Sequence, residues 1–447
     1  MKPSKTNNAQ NRLFDIRLSD QLNPQNPLYR LSEEIDWGYF ENEFNPLFKG
    51  KNGHPPKPIR LMIGIMMLQQ IYNESDELVV EKWIENPYWQ FFCGFDYLQW
   101  KKPINPTSLV YWRKRLGKDG LEKILKATVK TALKTKTIKS KSLKKTTSDT
   151  TVMPKNITYP TDSKLYATGC KILVREAKKL KIPLRQSFAR LAKKSLIMSG
   201  RYAHARQMKR AIREKKRLKT YLGRIYRDIQ RKIKNNKKYE NSFEEIFPLI
   251  DRLLKQKKLD KNKLYSLFEP HTECISKGKA HKKYEFGCKV SLLTTHKEGL
   301  LLYSEAVHGN PYDGHVLKQA VEKAEQISGR PIESIFVDKG YRGHSVEGKE
   351  VLISGQKKGI TRSLKKAMKR RQAIEPHIGH MKKEGKMSRN YLKGILGDEN
   401  NAILCGIGHN LKMILRKLRV FFAQIFYWIK KSLNFENNNI IFYLKKI

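Results

Sequence analysis

Beyond Lys282 the spacing of apolar residues switches from a helical period to a strand period, and that switch leaves few architectures open. KYEFGCKVSLLTT and GLLLYSEAV alternate as two strands joined around Lys297-Glu298-Gly299. GHVLKQAVEKAEQI returns to helical spacing, SIFVDKGY is a short buried strand, EVLISG another, and a basic helix follows from about Ser363. Far upstream, KKTTSDTTV (Lys144 to Val152) is rich in Thr and Val, as strands are. The order strand, long interruption, strand, strand, helix, strand, strand, helix predicts an α/β domain with a mixed sheet, interrupted after its first strand.

The first part of the chain reads as all-α. PIRLMIGIMMLQQIY, from Pro58 to Tyr72, is apolar nearly all round and reads as a buried helix with proline near its start. Ser75 precedes an acidic first turn and an apolar face in SDELVVEKWIEN, a helix closed by Asn86-Pro87. LVYWRKRLG is a short basic helix ending at Gly117. The Lys/Thr-rich stretch from Lys123 to Ser142 reads as a linker, and Asp162 to Tyr265 as helices loaded with Lys and Arg. These features divide the chain into a helical N-terminal domain (1–122), a linker (123–142), an α/β domain in two pieces (143–162 and 280–419), a basic helical insert (163–279) and a tail (420–447).

Lys and Arg total 91 against 42 Asp and Glu, a formal charge of +49, so the expected partner is a polyanion. An anionic membrane would call for an anchor. The start of the chain lacks the apolar run of a secretory signal, and the run from Val420 to Ile429 is about half of what a bilayer requires. Nucleic acid is the remaining choice. The five cysteines (Cys93, Cys170, Cys274, Cys288, Cys405) are scattered without zinc-ligand spacing, which together with the missing signal favours a reducing cytoplasm.

Three acids carry the chemistry. Asp149 lies in a strand-like run, sharing a face with Thr147 and Thr151. Asp338 ends the apolar run Ile335-Phe336-Val337, at the carboxyl end of a buried strand where α/β sheets build their sites. Glu375 sits in RRQAIEPHIGHMKK, and Arg371, Glu375 and Lys382 would share a helical stripe, with Pro376 forcing a kink or a restart. Each has a bland reading: an edge-strand residue for Asp149, a turn former for Asp338, an ion-pair partner of Arg371 for Glu375. Phosphodiester transfer needs an activated oxygen and a stabilised leaving group, which two divalent ions roughly 3.5–4 Å apart supply. Such hard ions prefer carboxylate oxygens.

At these residues the sequence resembles the bacterial insertion-sequence transposases of the DDE class, specifically the IS-five group with its InsH-like N-terminal domain. The N-terminal resemblance lies in GHPPKPIRLMIGIMMLQQIYNESDELVVEKWIENPYWQFFCG and PINPTSLVYWRKRLG. The later one lies in SDTTVMPKNITYPTDSKL, ISKGKAHKKYEFGCKVSL, HGNPYDGHVL, VDKGYRG and IEPHIGHMKKEGKM. It implies a ribonuclease-H-like catalytic fold, two Mg2+ ions (Mn2+ as the alternative) held by Asp149, Asp338 and Glu375, and double-stranded DNA, both element ends and target, as partner. It also implies a homo-oligomer on DNA. Arg371 and Lys382 fit the family's spacing around the glutamate and would hold phosphates, while Met368 stands where a tyrosine is expected.

Other residues are weighed individually. Arg342, after Tyr341, and Arg113 and Arg115, beside Trp112, are candidate DNA contacts, against the alternative of packed or solvated side chains. Asp313 reads as a helix cap. His377, His380 and Glu384 lack the spacing of a zinc protease. Two rivals share the charge: a silent DNA-binding repressor and a nuclease of the same fold without strand transfer.

Overall fold

The computed structural model describes residues 16–48, 55–234, 236–258, 260–276, 283–356 and 361–432. The tail expected over 420–447 therefore lies outside the described residues beyond Ser432, and residues 277–282 of the ISKGKAHKKYEFG motif lie outside them too.

Seven helices lead the chain among the described residues: α1 (Leu18–Gln21), α2 (Pro27–Glu34), α3 (Trp37–Phe44), α4 (Ile59–Tyr72), α5 (Asp76–Glu85), α6 (Pro87–Phe92) and α7 (Thr107–Lys134). The uniformly apolar α4 is buried along almost its whole length and ends on Asn73 in the left-handed conformation. The Ser75 side chain accepts from Leu78 N and starts α5. A new helix, α6, opens at Pro87 under an Asn86 cap.

The expected linker over 123–142 is a correction. The chain breaks helix at Gly117 (φ 59, ψ −164), then resumes and runs to Lys134. Leu121, Ile124, Leu125, Val129 and Ala132 recur at helical spacing and are buried. Lys and Thr mask this stripe in the composition, and only packing against the later part of the chain reveals it. A short 3-10 turn, Ser140–Lys144, leads directly into β1 (Lys145–Pro154).

After β1 come α8 (Asp162–Lys179), α9 (Ala189–His204), α10 (Met208–Ile233), α11 (Lys237–Phe243) and α12 (Ile246–Lys255). They enclose a core of their own, in which Leu173, Leu222, Ile229 and Ile250 are buried. There follow β2 (Glu273–Ser276), β3 (Tyr284–Thr295), β4 (Leu301–Val307), α13 (Asp313–Ser328), β5 (Ser334–Val337), β6 (Glu350–Ile353), α14 (Arg362–Arg370), α15 (Ile374–Lys383) and α16 (Gly394–Ser432). The six described strands form one mixed sheet. β1 is antiparallel to β3 and parallel to β5, which is parallel to β6. β2 and β4 both pair antiparallel with β3 on the edge away from β1.

One core joins the sheet to the N-terminal helices. Leu61, Leu68, Leu125 and Val129 share a cluster with Leu293, Leu302, Leu317, Ile335, Leu404 and Leu411. The boundary expected near residue 122 is thus not a boundary in packing, and Lys118 on α7 reaches Glu305 on β4 as an ion pair. No helix among the described residues is long and apolar enough to cross a membrane.

Candidate active site

Strand register brings two of the three expected acids together. Thr147 on β1 pairs with Phe336 on β5 in parallel. Asp149 and Asp338 each stand two residues further on, so they are neighbours on the same face of strands about 5 Å apart. Both are partly exposed. Asp149 Oδ1 accepts from Thr150 N at 2.7 Å, and Asp338 Oδ1 accepts from Gly340 N at 2.8 Å, which closes the turn after β5.

The face below the acids is built by His296, which the sequence reading missed. Its Nδ1 lies 2.8 Å from Thr147 Oγ1 and its ring stacks on Phe336 at 3.9 Å. Burial, with the nearby cations Arg370 and Lys145, lowers its pKa to about 4, so it is neutral near pH 7. On the opposite face of β1, the Tyr341 hydroxyl lies 3.4 Å from Ser148 Oγ. Burial raises its pKa well above the ordinary phenol value, and the fields of Asp149, Asp313 and Asp338 add to this. Asp313, at the start of α13, accepts from Lys289 Nζ at 2.9 Å and Thr150 Oγ1 at 3.1 Å.

Residues 16–115 match the family described as Transposase domain (DUF772), and residues 266–411 match Transposase DDE domain. A Rhizobium meliloti protein described as "Uncharacterized protein ORF8 in nfe locus" is 47% identical over 207 residues, covering 46% of this chain and 100% of that protein. The chain belongs to the DDE-type transposases of insertion sequences. No solved structure matches it. In this transposase the DDE match holds Asp338 and Glu375, whereas Asp149 lies upstream of it.

Among the described residues no group of three or more His, Cys, Asp and Glu side chains is arranged to hold a metal ion. Glu375 is exposed in the first turn of α15. The single stripe expected for Arg371, Glu375 and Lys382 is also corrected. Arg371 opens a 3-10 turn, Arg371–Ala373, that separates α14 from α15, and Pro376 sits in the first turn of α15, where its missing N–H costs no helical bond. Glu375 and Lys382 remain on one face of α15. Packing explains the placement: the ring of His377 lies against the α-carbon of Gly299, in the β3–β4 turn, leaving no space for a β-carbon there. Further along, Met381 packs in the cluster that contains Met153 of β1, whose side chain shares a face with Asp149. The pair of carboxylates is a hard-oxygen donor set of the kind magnesium takes, and on that count Asp149 and Asp338 fit a divalent ion.

The expected DNA contacts divide. Arg113 is a correction: it is 5% exposed and its guanidinium pairs with Asp76, with Nη1 at 2.9 Å from Oδ1. Arg115 is exposed, 5.1 Å above the Phe48 ring. Arg342 is exposed just beyond the Asp338 turn, Arg371 is half-buried, and Lys382 is partly buried. Neighbouring α14 carries Lys365, Lys366, Lys369 and Arg370 with no buried residue, and Arg370 donates to the carbonyls of His296 and Lys297, so this basic helix is anchored beside the acids. His380 Nδ1 lies 2.6 Å from Glu384 Oε1 in an ordinary i,i+4 contact, while His377 packs on Gly299.

Proposed function

We propose that this transposase cleaves DNA strands at the ends of its mobile element and joins the freed 3′ ends to target DNA in the cytoplasm. Asp149, Asp338 and Glu375 would hold Mg2+, two ions in all, with Mn2+ able to substitute. The observation that carries this reading is the placement of Asp149 and Asp338, each two residues beyond the Thr147–Phe336 pair of neighbouring parallel strands, in a chain of charge +49. When bound, divalent ions supply activation of the attacking oxygen and stabilisation of the leaving oxygen.

The chain's own residues do the rest. Exposed cations on α14, with Arg342, Arg371 and Lys382, hold phosphates beside the carboxylates. His296, neutral and wedged under the pair, holds β1 against β5 without adding charge. Glu375 is assigned as third acid from the family's spacing to Lys382, and the packing of α15 by Met381 on the Asp149 face supports it.

The strand order β4-β3-β1-β5-β6, with β3 alone of the central three antiparallel, supports a ribonuclease-H-like catalytic fold, and the motifs quoted above support the IS-five group. In this reading α8–α12 form an insert whose basic α9 and α10 track DNA phosphates. The N-terminal helices, through Arg115, recognise the element's ends, and a dimer or larger assembly bridges two of them.

The test incubates the protein with labelled DNA carrying the element's ends, in Mg2+ or EDTA, for wild type and Asp338→Asn. Metal-dependent nicked and joined products, absent in the variant while DNA binding persists, are the expected result. Binding without cleavage by wild type points to a repressor, and cleavage without joining to a nuclease.

A further inference from the structure

Lys289 on β3 is a buried cation paired in register with Val152 of β1, on the face of the sheet that carries Thr150 and Ser148. Its side chain is 10% exposed, and its ammonium donates to Asp313 Oδ1 at 2.9 Å and to the Pro311 carbonyl at 2.6 Å. Asp313 opens α13, where a capping role is the ordinary explanation. That role is not filled: the cap position is Tyr312, and no side chain caps the helix. Asp313 Oδ1 instead accepts from Lys289 and, at 3.1 Å, from Thr150 Oγ1, the residue next to Asp149. Its other oxygen faces the second acid. A β-carbon placed on Gly340 would meet Asp338 Oδ1 at 3.0 Å and Asp313 Oδ2 at 3.5 Å, so both carboxylates border the same backbone atom. The start of α13 also abuts the carbonyls of Tyr341 and Arg342, which follow Asp338 in the chain.

We propose that the Lys289–Asp313 ion pair is a positioning device for the acid site: it fixes the start of α13 on β3, where Asp313 also bonds Thr150 beside Asp149 and borders the turn of Asp338, and it cancels a buried positive charge. Asp313 is then a positioning residue, already neutralised by Lys289, and not a third metal ligand. This rests on the reading of Asp149 and Asp338 as the metal-binding pair. The physical content is a sign. A buried charge that loses its partner acts at full strength on its surroundings, because little solvent screens it. Removing the carboxylate leaves an ammonium that repels an entering cation. Removing the ammonium leaves a carboxylate that attracts one. A role limited to packing would not reverse sign between the two.

The experiment measures Mn2+ binding to the full chain directly, by calorimetry or by the electron paramagnetic resonance of free Mn2+, alongside the Mn2+ concentration that half-saturates DNA cleavage. Asp313→Asn is expected to weaken Mn2+ binding by about ten- to hundred-fold, the range for lost partners behind metal ligands. Lys289→Met is expected to bind Mn2+ at least as tightly as wild type. The double variant, which removes both charges at similar volume, is expected to recover most of the loss. Weakening in both single variants, or a double variant no better than Asp313→Asn, overturns the proposal. Should Asp313→Asn fail to fold by circular dichroism, Lys289→Met decides alone, since weaker binding there contradicts the expected sign. An Asp338→Asn variant that binds Mn2+ as well as wild type would instead sink the acid-pair reading on which the proposal stands.

Discussion

Replacing Arg113 with methionine removes a charge from the seam between α5 and α7 while keeping most of the side chain's volume. In the wild type the guanidinium forms two bonds to the Asp76 carboxylate, and Gln69 bonds the same group. The two charged side chains are 6% and 21% exposed. Breaking a buried pair by removing one partner costs on the order of 3–5 kcal/mol, and the residual exposure of Asp76 puts the expectation near the lower end, about 3 kcal/mol. That is several degrees in melting temperature for a protein of this size. Burial raises the Asp76 pKa, but the hydrogen bonds and charge of Arg113 outweigh it and hold the pKa below the ordinary value of 3.8.

The pair's contribution is therefore complete above that value and is lost only as pH falls through the folded-state pKa. Without Arg113 the burial penalty dominates, the folded-state pKa rises above 3.8, and the destabilisation grows as pH increases through that range. Thermal unfolding of wild type and Arg113→Met at pH 7.5 and near pH 4.5 checks this, with the larger difference expected at pH 7.5. End-DNA binding by the folded variant at 20 °C is expected to match wild type. A variant with unchanged melting temperature and reduced DNA affinity refutes the reasoning and returns Arg113 to the DNA interface.

Three further outcomes follow from the packing. Leu125→Ala, in the stretch that composition marks as a linker, deletes a side chain that is 1% exposed, and should cost about 2–5 kcal/mol in chemical unfolding; a loss near zero would make that stretch a linker after all. Gly299→Ala adds a β-carbon where the His377 ring already stands and where φ is +79°, so α15 must shift. Strained backbone alone costs on the order of 1–3 kcal/mol, and DNA cleavage should fall more than DNA binding; equal losses would contradict a link from this turn to Glu375. Burial lowers His296 and His409 to about 4 from 6.5, so the stability they contribute is complete above 6.5 and is lost as pH falls towards 4. In an NMR titration of the folded protein neither ring should show a midpoint above pH 5.5, and a midpoint near 6.5 would mean that the ring is solvated.

Local interactions left a legible record in the chain. The apolar run of α4, the Ser75 cap of α5, the alternating β3 and β4 and the carboxylate ending β5 all depend on contacts within a few residues, and the sequence alone locates them. The short edge strand β2 escaped notice because four residues, ECIS, carry no period, and its partner on β3 lies further along the chain. The C-terminal half of α7 was obscured for a related reason: its apolar stripe is interleaved with Lys and Thr, and what buries it is α16, far along the chain.

The site divides along the same line. Chemistry at strand ends pointed to Asp149 and Asp338, but their adjacency is a matter of register between strands nearly two hundred residues apart. The sequence alone determined a strongly basic chain, helical first and α/β later, with carboxylates where such a sheet keeps its chemistry. Tertiary structure decided that Arg113 faces inward to Asp76, that Lys289 meets Asp313, that His296 floors the acid pair and that Glu375 sits in the first turn of α15, beyond a 3-10 turn. A charged side chain's role depends on which partner shields it from water, and that partner is chosen by packing between distant segments, which no local pattern encodes.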